Sequence, residues 1–316
     1  MAMAAAATVV QRPAFGQSLY PNKPLRLIIP FATAGAADLV GRLVAEQLSR
    51  RLGQPVTVEN RTGAGGNIGA QAVAAAEPDG YTLLLGFDGT LTINPHLYTK
   101  TAFDTLRDFA SVGKIGDVPL VIVINPQVPA RTISELIALS KTTPGGLSYG
   151  TSGTGSTQHL MFELINQRTG SKFVHVPYKG AAQAMVDVLA GHIPIASAAL
   201  ASTVDMIKTG KLRALAMSSS ERSKFLPDVP TLVESGYDLV ITAWHAILVP
   251  AKTPRDIVDK LNVHLNAALT DPDVRARLDV LGSLAAPGTP ASFDAQLRRD
   301  FARFRDVVKI ANIKLD

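Results

Sequence analysis

Residues 147–160 read LSYGTSGTGSTQHL. Glycines and hydroxyl side chains crowd the point where a predicted strand (147–149) gives way to a predicted helix (158–167). A helix start leaves backbone N–H groups without intrahelical partners and carries partial positive charge, so small residues there let an anion approach the main chain. No Gly-Lys-Ser/Thr follows, which excludes a nucleotide-binding P-loop. Taken alone, the stretch reads either as a carboxylate or phosphate site or as a capped helix start with a glycine turn.

Outward from this loop, strands and helices alternate. Strand 25–30 precedes a helix over 37–52 with apolar residues at Leu39, Val40, Leu43, Val44 and Leu48; strand 56–58, helix 68–76 and strand 81–85 follow. A second unit begins near Pro119, with strands at 120–124, 147–149, 173–176 and 212–217, an apolar run over 193–199, and helices at 133–141, 158–167, 182–190 and 203–209. A strand at 245–249 then leads into three helices over 254–269, 272–281 and 292–310, the last with Ser292 as its N-cap. The order predicts an α/β protein of two lobes, each a sheet flanked by helices. The chain crosses between lobes near 117–120 and 238–244. Lobe 1 is expected over 21–118 plus 242–316 and lobe 2 over 119–241, with two crossovers forming a hinge that closes around a ligand.

Composition narrows the function. Of 316 residues, 47% are hydrophobic and 18% charged, which describes a folded globular chain. No run has the eighteen or so apolar residues of a membrane span. The net charge of +5 comes from scattered basic residues with few aromatics, so nucleic acid is not an expected partner. The absence of cysteine excludes disulfides, thiolate metal sites and cysteine nucleophiles. Residues 1–20 carry a small apolar run and then Ala14-Phe15-Gly16, read as a truncated signal remnant or a disordered tail.

The loop Pro30–Asp38, PFATAGAAD, lies at the end of the first strand and the start of the first helix. Ligands of open α/β sheets gather at strand C-termini, so this loop and 149–157 hold equivalent positions in their lobes and would grip one small anion from two sides. Asp38 is open to a capping or a ligand-orienting role, and Phe31 to a core position or an apolar wall of the cleft. The glycine-rich 61–69 fails G-x-G-x-x-G at Ile68 and is assigned a tight turn and close helix packing. Ser152 fails the G-x-S-x-G elbow at Thr154. The six histidines have no metal-ligand spacing, and most are assigned structural or surface roles. No catalytic residue, metal or cofactor is expected.

Several separated stretches, namely PFATAGAAD (30–38), VENRTGAGGNIGA (58–70), INPHLY (93–98), LSYGTSGTGSTQHL (147–160), HVPYKG (175–180), GKLRALA (210–216) and LPDVPTLVESG (226–236), closely resemble the Bug or TctC-like periplasmic receptors of tripartite tricarboxylate transporters. The resemblance covers nearly everything after residue 20. It implies a type II-like periplasmic binding protein without catalytic activity, monomeric, that takes a dicarboxylate or an aromatic acid to membrane permease subunits. It assigns ligand contacts to Phe31, Gly35, Ala36 and Asp38 in the first lobe, and to Thr151, Ser152, Thr154, Ser156, Thr157, Tyr178 and Gly180 in the second. Ala34 stands where relatives commonly have glycine, and the stretch around Ala198 has no acid where many carry an aspartate. Asp88 and His245 replace small or apolar residues; facing the cleft, His245 would donate to a second carboxylate. The rival expectations are a periplasmic enzyme of the same fold and a ligand sensor for a membrane signalling protein.

Overall fold

The computed structural model describes residues 20–313; the signal or tail reading of the N-terminus falls almost wholly outside them. The chain opens with β1 (Leu25–Ile29), α1 (Ala36–Leu52), β2 (Val56–Asn60), a 3-10 turn, α2 (Asn67–Ala74) and β3 (Thr82–Phe87). A π-helical turn over Gly89–Ile93 runs into α3 (Asn94–Leu97), then α4 (Thr105–Asp108) and β4 (Phe109–Val118). Pro119 alone separates β4 from β5 (Leu120–Ile124), followed by α5 (Ile133–Thr142), β6 (Leu147–Thr151), α6 (Thr157–Thr169), β7 (Phe173–Pro177), α7 (Ala181–Ala190), β8 (Ile195–Ala199), α8 (Val204–Lys208) and β9 (Arg213–Met217). The chain closes with β10 (Ala243–Pro250), α9 (Arg255–Leu269), α10 (Pro272–Val280), β11 (Leu284–Ala285) and α11 (Pro290–Ile310).

Two mixed sheets result. The first has the order β11-β4-β10-β3-β1-β2 and the second β7-β6-β8-β5-β9. In the first, β1 lies parallel to β2 and β3, with Ile28 opposite Glu59 and Leu84. Alternation along β1 sends Leu25, Leu27 and Ile29 into a core with Val40, Leu43, Val44 and Leu48 of α1 and Leu261 and Leu265 of α9. Ile28 points to the opposite face, with Ala70 and Val73 of α2 and Phe293 and Leu297 of α11. Strands covered on both faces have no solvent side, which is why they are apolar at nearly every position.

α11 belongs to both halves. Its first turns pack on the first sheet through Phe293 and Leu297, while Phe304, Val307 and Val308 join the core of the second with Ile122, Tyr149, Leu160 and Ile165. Full burial of such side chains stabilises by about 1.5–3 kcal/mol each, so the helix is anchored at both ends. Its N-cap is Thr289, whose hydroxyl accepts from Ser292 N–H, with Pro290 at N1; the expected cap at Ser292 is therefore corrected. The ten-residue β4 was also not anticipated.

Candidate functional site

Pro30 follows β1, and residues 31–35 form a largely exposed loop before α1. Gly35 is the N-cap, and no side chain caps the helix. The amides of this 17-residue helix start beside Ala34, Gly35 and Ala36, none of which is large enough to shield them. Ala34 has φ +64°, a left-handed conformation that glycine adopts more readily. Phe31 is half-buried and meets Phe87 edge-on, with ring centroids 5.4 Å apart.

Asp38 is almost fully buried, and both its oxygens are engaged. Oδ2 accepts from Ala34 N–H (2.9 Å) and Arg42 Nε (2.9 Å), and Oδ1 from Asn60 Nδ2 (2.8 Å). Burial pushes its carboxyl up, but the bonds from Arg42, Asn60 and Ala34 together outweigh this and hold it below the usual range. Asp38 fixes the loop to its own helix and to β2.

The second loop is built from glycines in conformations other residues rarely adopt: Gly153 at φ +134° and Gly155 at φ +76°. Ser156 caps α6 by accepting from His159 N–H. Thr151 is buried at the end of β6, where its Oγ1 lies 2.7 Å from His175 Nε2 and accepts from Gly153 N–H. Ser152 donates to Gln158 Oε1 (3.1 Å). Ser152, Thr154 and Ser156 are only partly buried. Tyr178 donates its hydroxyl to Asp187 Oδ2 (2.6 Å), and Gly180 starts α7 without a side-chain cap.

A hydrogen bond ties the second loop to the first sheet. Thr157 Oγ1 at the start of α6 donates to Asp88 Oδ2 at the end of β3, at 2.6 Å. β3 is the neighbour of β1, and the Phe31–Phe87 ring contact sets the α1 loop one strand away. The start of α1 and the start of α6 are thus brought to the same junction between sheets.

Three of the expected ligand contacts are buried. Ala198 is fully buried in an apolar cluster with Val121, Val188 and Met217, so its methyl faces the core of the second half. Asp88 is fully buried against Thr157, and burial pushes its carboxyl up to about 7. His245 is buried in line with Phe87, ring centroids 5.6 Å apart. Burial pushes its imidazole down to about 4, which leaves it neutral at pH 7 with one ring N–H to donate, and its buried Nδ1 has no hydrogen-bond partner. The hydroxyls of Thr151 and Thr157 are committed inside the protein.

Sequence reasoning missed Phe87, which links Phe31 and His245 into one aromatic row; the only signal was its place at the end of an apolar strand. It also missed the roles of His159 and His175. The glycines of 61–69 act as expected: Gly66 has φ +94°, and a Cβ there would lie 2.4 Å from Thr90 Oγ1. A separate cavity of about 570 Å³ lies beside the crossovers, lined by residues that include Lys114, Asp117, Arg299 and Arg303. Lys114 pairs with Asp117 and Arg303 with Asp300, so its wall has no single dominant charge. Among the described residues, no helix is long and apolar enough to cross a membrane.

Residues 40–290 match the family model described as the tripartite tricarboxylate transporter family receptor. Protein BugT of Bordetella pertussis is 37% identical over 298 residues, covering 94% of this chain and 91% of BugT. Among solved structures, R. palustris Rpa4515 with adipate superposes with a TM-score of 0.79 at 31% identity, covering 93% of this chain and 99% of that one. MatC from Rhodopseudomonas palustris with bound malate gives 0.75 at 31% identity, covering 92% and 100%.

Proposed function

The chain belongs to the tripartite tricarboxylate transporter receptor family, and from that premise we propose that it captures a small organic carboxylate between two closing lobes in the periplasm. It then presents the acid, as a monomer, to the membrane permease subunits of such a transporter. The lobes in this reading are residues 21–118 with 242–316, and 119–241. The observation that carries the proposal is the bond from Thr157, at the start of α6, to Asp88, which follows β3 one strand away from the α1 loop. Phe31, Gly35 and Ala36 face the ligand from one side, and Ser152, Thr154, Ser156 and Gly180 from the other. Neutral amides and hydroxyls at helix termini share a carboxylate's charge without an Arg or Lys clamp.

Thermal unfolding in the presence of mono-, di-, tri- and aromatic carboxylates, with calorimetry on those that raise the midpoint, tests the reading. A ligand at 100 times its Kd stabilises by about 2.7 kcal/mol. Gly35 has φ −76°, and an added Cβ would sit 3.5 Å from Ala32 O, an ordinary contact. Gly35→Val therefore leaves the fold intact and blocks the approach to α1, abolishing the shift. A panel in which no carboxylate shifts the midpoint but a neutral sugar does refutes the proposal.

A further inference from the structure

We propose that His159, seated on His175, is the positioning residue of the second ligand loop: it holds the backbone of that loop in place from beneath. The inference rests on reading residues 151–157 as half of the carboxylate cleft. Gly155 is buried, and its N–H donates to His159 Nδ1 at 3.1 Å. Only an unprotonated Nδ1 accepts, so the ring carries its proton on Nε2, the nitrogen that faces Glu163 Oε1 at 3.8 Å. The ring of His175 stacks on it with centroids 3.7 Å apart and planes 12° from parallel. His175 in turn reaches Thr151 Oγ1, which is bonded to both the amide and the carbonyl of Gly153.

The two rings thus hold the loop at Thr151 and at Gly155, from within the protein. Gly153 and Gly155 have no side chains to pack, and both adopt positive φ. The pair is neutral by construction. Burial, and for His159 the neighbouring His175, push the imidazoles down to about 3 and about 4. Tyr149 closes the cluster, its ring 5.3 Å from His175 and its hydroxyl donating to Glu163 Oε1. A phenyl ring would fill the same space and keep the stack, so packing alone does not account for an acceptor nitrogen aimed at a glycine amide.

His159→Phe and His159→Asn separate the two roles, because Asn places an acceptor oxygen near the Nδ1 position while Phe keeps the stack and removes the acceptor. Affinity is measured by calorimetry with adipate and malate, and the Gly155 amide by hydrogen exchange. The expected result is a folded His159→Phe that loses about tenfold or more in affinity and in Gly155 protection, with His159→Asn restoring most of both. His159→Phe that keeps either the affinity or the protection overturns the proposal. Nitrogen NMR of the wild-type ring decides it without any variant: a proton on Nδ1 at pH 7 also overturns it. If the wild type binds neither acid, affinity is read with a carboxylate that raises its thermal midpoint; if no carboxylate does, the carboxylate reading fails, while exchange and the ring tautomer still decide whether His159 holds the loop.

Discussion

Asp38→Ala separates an anchor from a ligand contact. The change removes a carboxylate that is 1% exposed and accepts three hydrogen bonds, from Ala34, Arg42 and Asn60. A net hydrogen bond to a charged group contributes about 1.5–3 kcal/mol. The side chain of Arg42 is 48% exposed, so that pair counts for no more than about 1 kcal/mol. Asn60 Nδ2 keeps the Phe31 carbonyl as a second acceptor at 2.9 Å, and the Ala34 amide lies in an exposed loop where water replaces the carboxylate. The expected loss of stability is about 2–4 kcal/mol, read as a lower urea midpoint at unchanged slope. The folded carboxyl titrates below its unfolded value, so its contribution is fully present above about pH 4 and disappears as pH falls through the folded pKa. The gap between wild type and variant therefore closes in acid. Affinity for a carboxylate that raises the wild-type thermal midpoint falls as the loop loosens, but binding survives. Unchanged stability with complete loss of binding would refute the reasoning and return Asp38 to the ligand.

Ala34→Gly relieves a left-handed alanine, worth about 1–2 kcal/mol, against about 0.4–1 kcal/mol of added freedom in the unfolded chain. The net is a small gain in the urea midpoint, and a clear loss contradicts the assigned backbone strain. Asp88→Asn tests the buried acid: with its folded pKa raised to about 7, Asp88's favourable contribution is present below about pH 4 and is lost as pH rises through 7. The variant is therefore more stable than wild type at pH 8 and close to it at pH 4.5; an equal effect at both values refutes the assignment. His159, His175 and His245 act in the other direction, because their folded values of about 3, 4 and 4 lie below the ordinary 6.5. Their neutral forms stabilise above about pH 6.5, and that contribution drains away as pH drops toward 4, giving a net fall in thermal midpoint between pH 6.5 and 4.

Most strands and helices were legible because buried parallel strands and amphipathic helices impose strong local patterns. β4 was not. Its sequence FASVGKIGDV carries two glycines and an aspartate, all poor strand formers. The glycines are there because neighbours come too close for anything else: a Cβ on Gly116 would lie 2.6 Å from Leu284 O, and one on Gly113 2.9 Å from Asn262 Nδ2. Those neighbours arrive from more than a hundred residues away, so no local window contains the reason. The α11 start was misplaced because Ser292 and Thr289 both suit a cap, and only Pro290 at N1 distinguishes them. At the site, the two loops stood out by composition, but which hydroxyls were already engaged did not. His159 and His175 are sixteen positions apart on a helix and a strand, and only the folding of α6 back over β6 and β7 stacks their rings. Asp38, Asp88 and His245 stood out as polar residues near strand ends; their burial, and the partners of Asp38 and Asp88, come from distant segments that no local window contains.

α11 has a mechanical consequence. Two short strand crossovers alone would let the halves swing freely, but a helix of 21 residues rooted in both cores acts as a torsion bar across the joint. Any rotation must twist or bend it between Leu297 and Phe304, where Arg303 also ties it to the Val240 carbonyl of the return crossover at 2.7 Å. In the two-lobe closure proposed above, the stiffness of that one helix would set how far the halves separate.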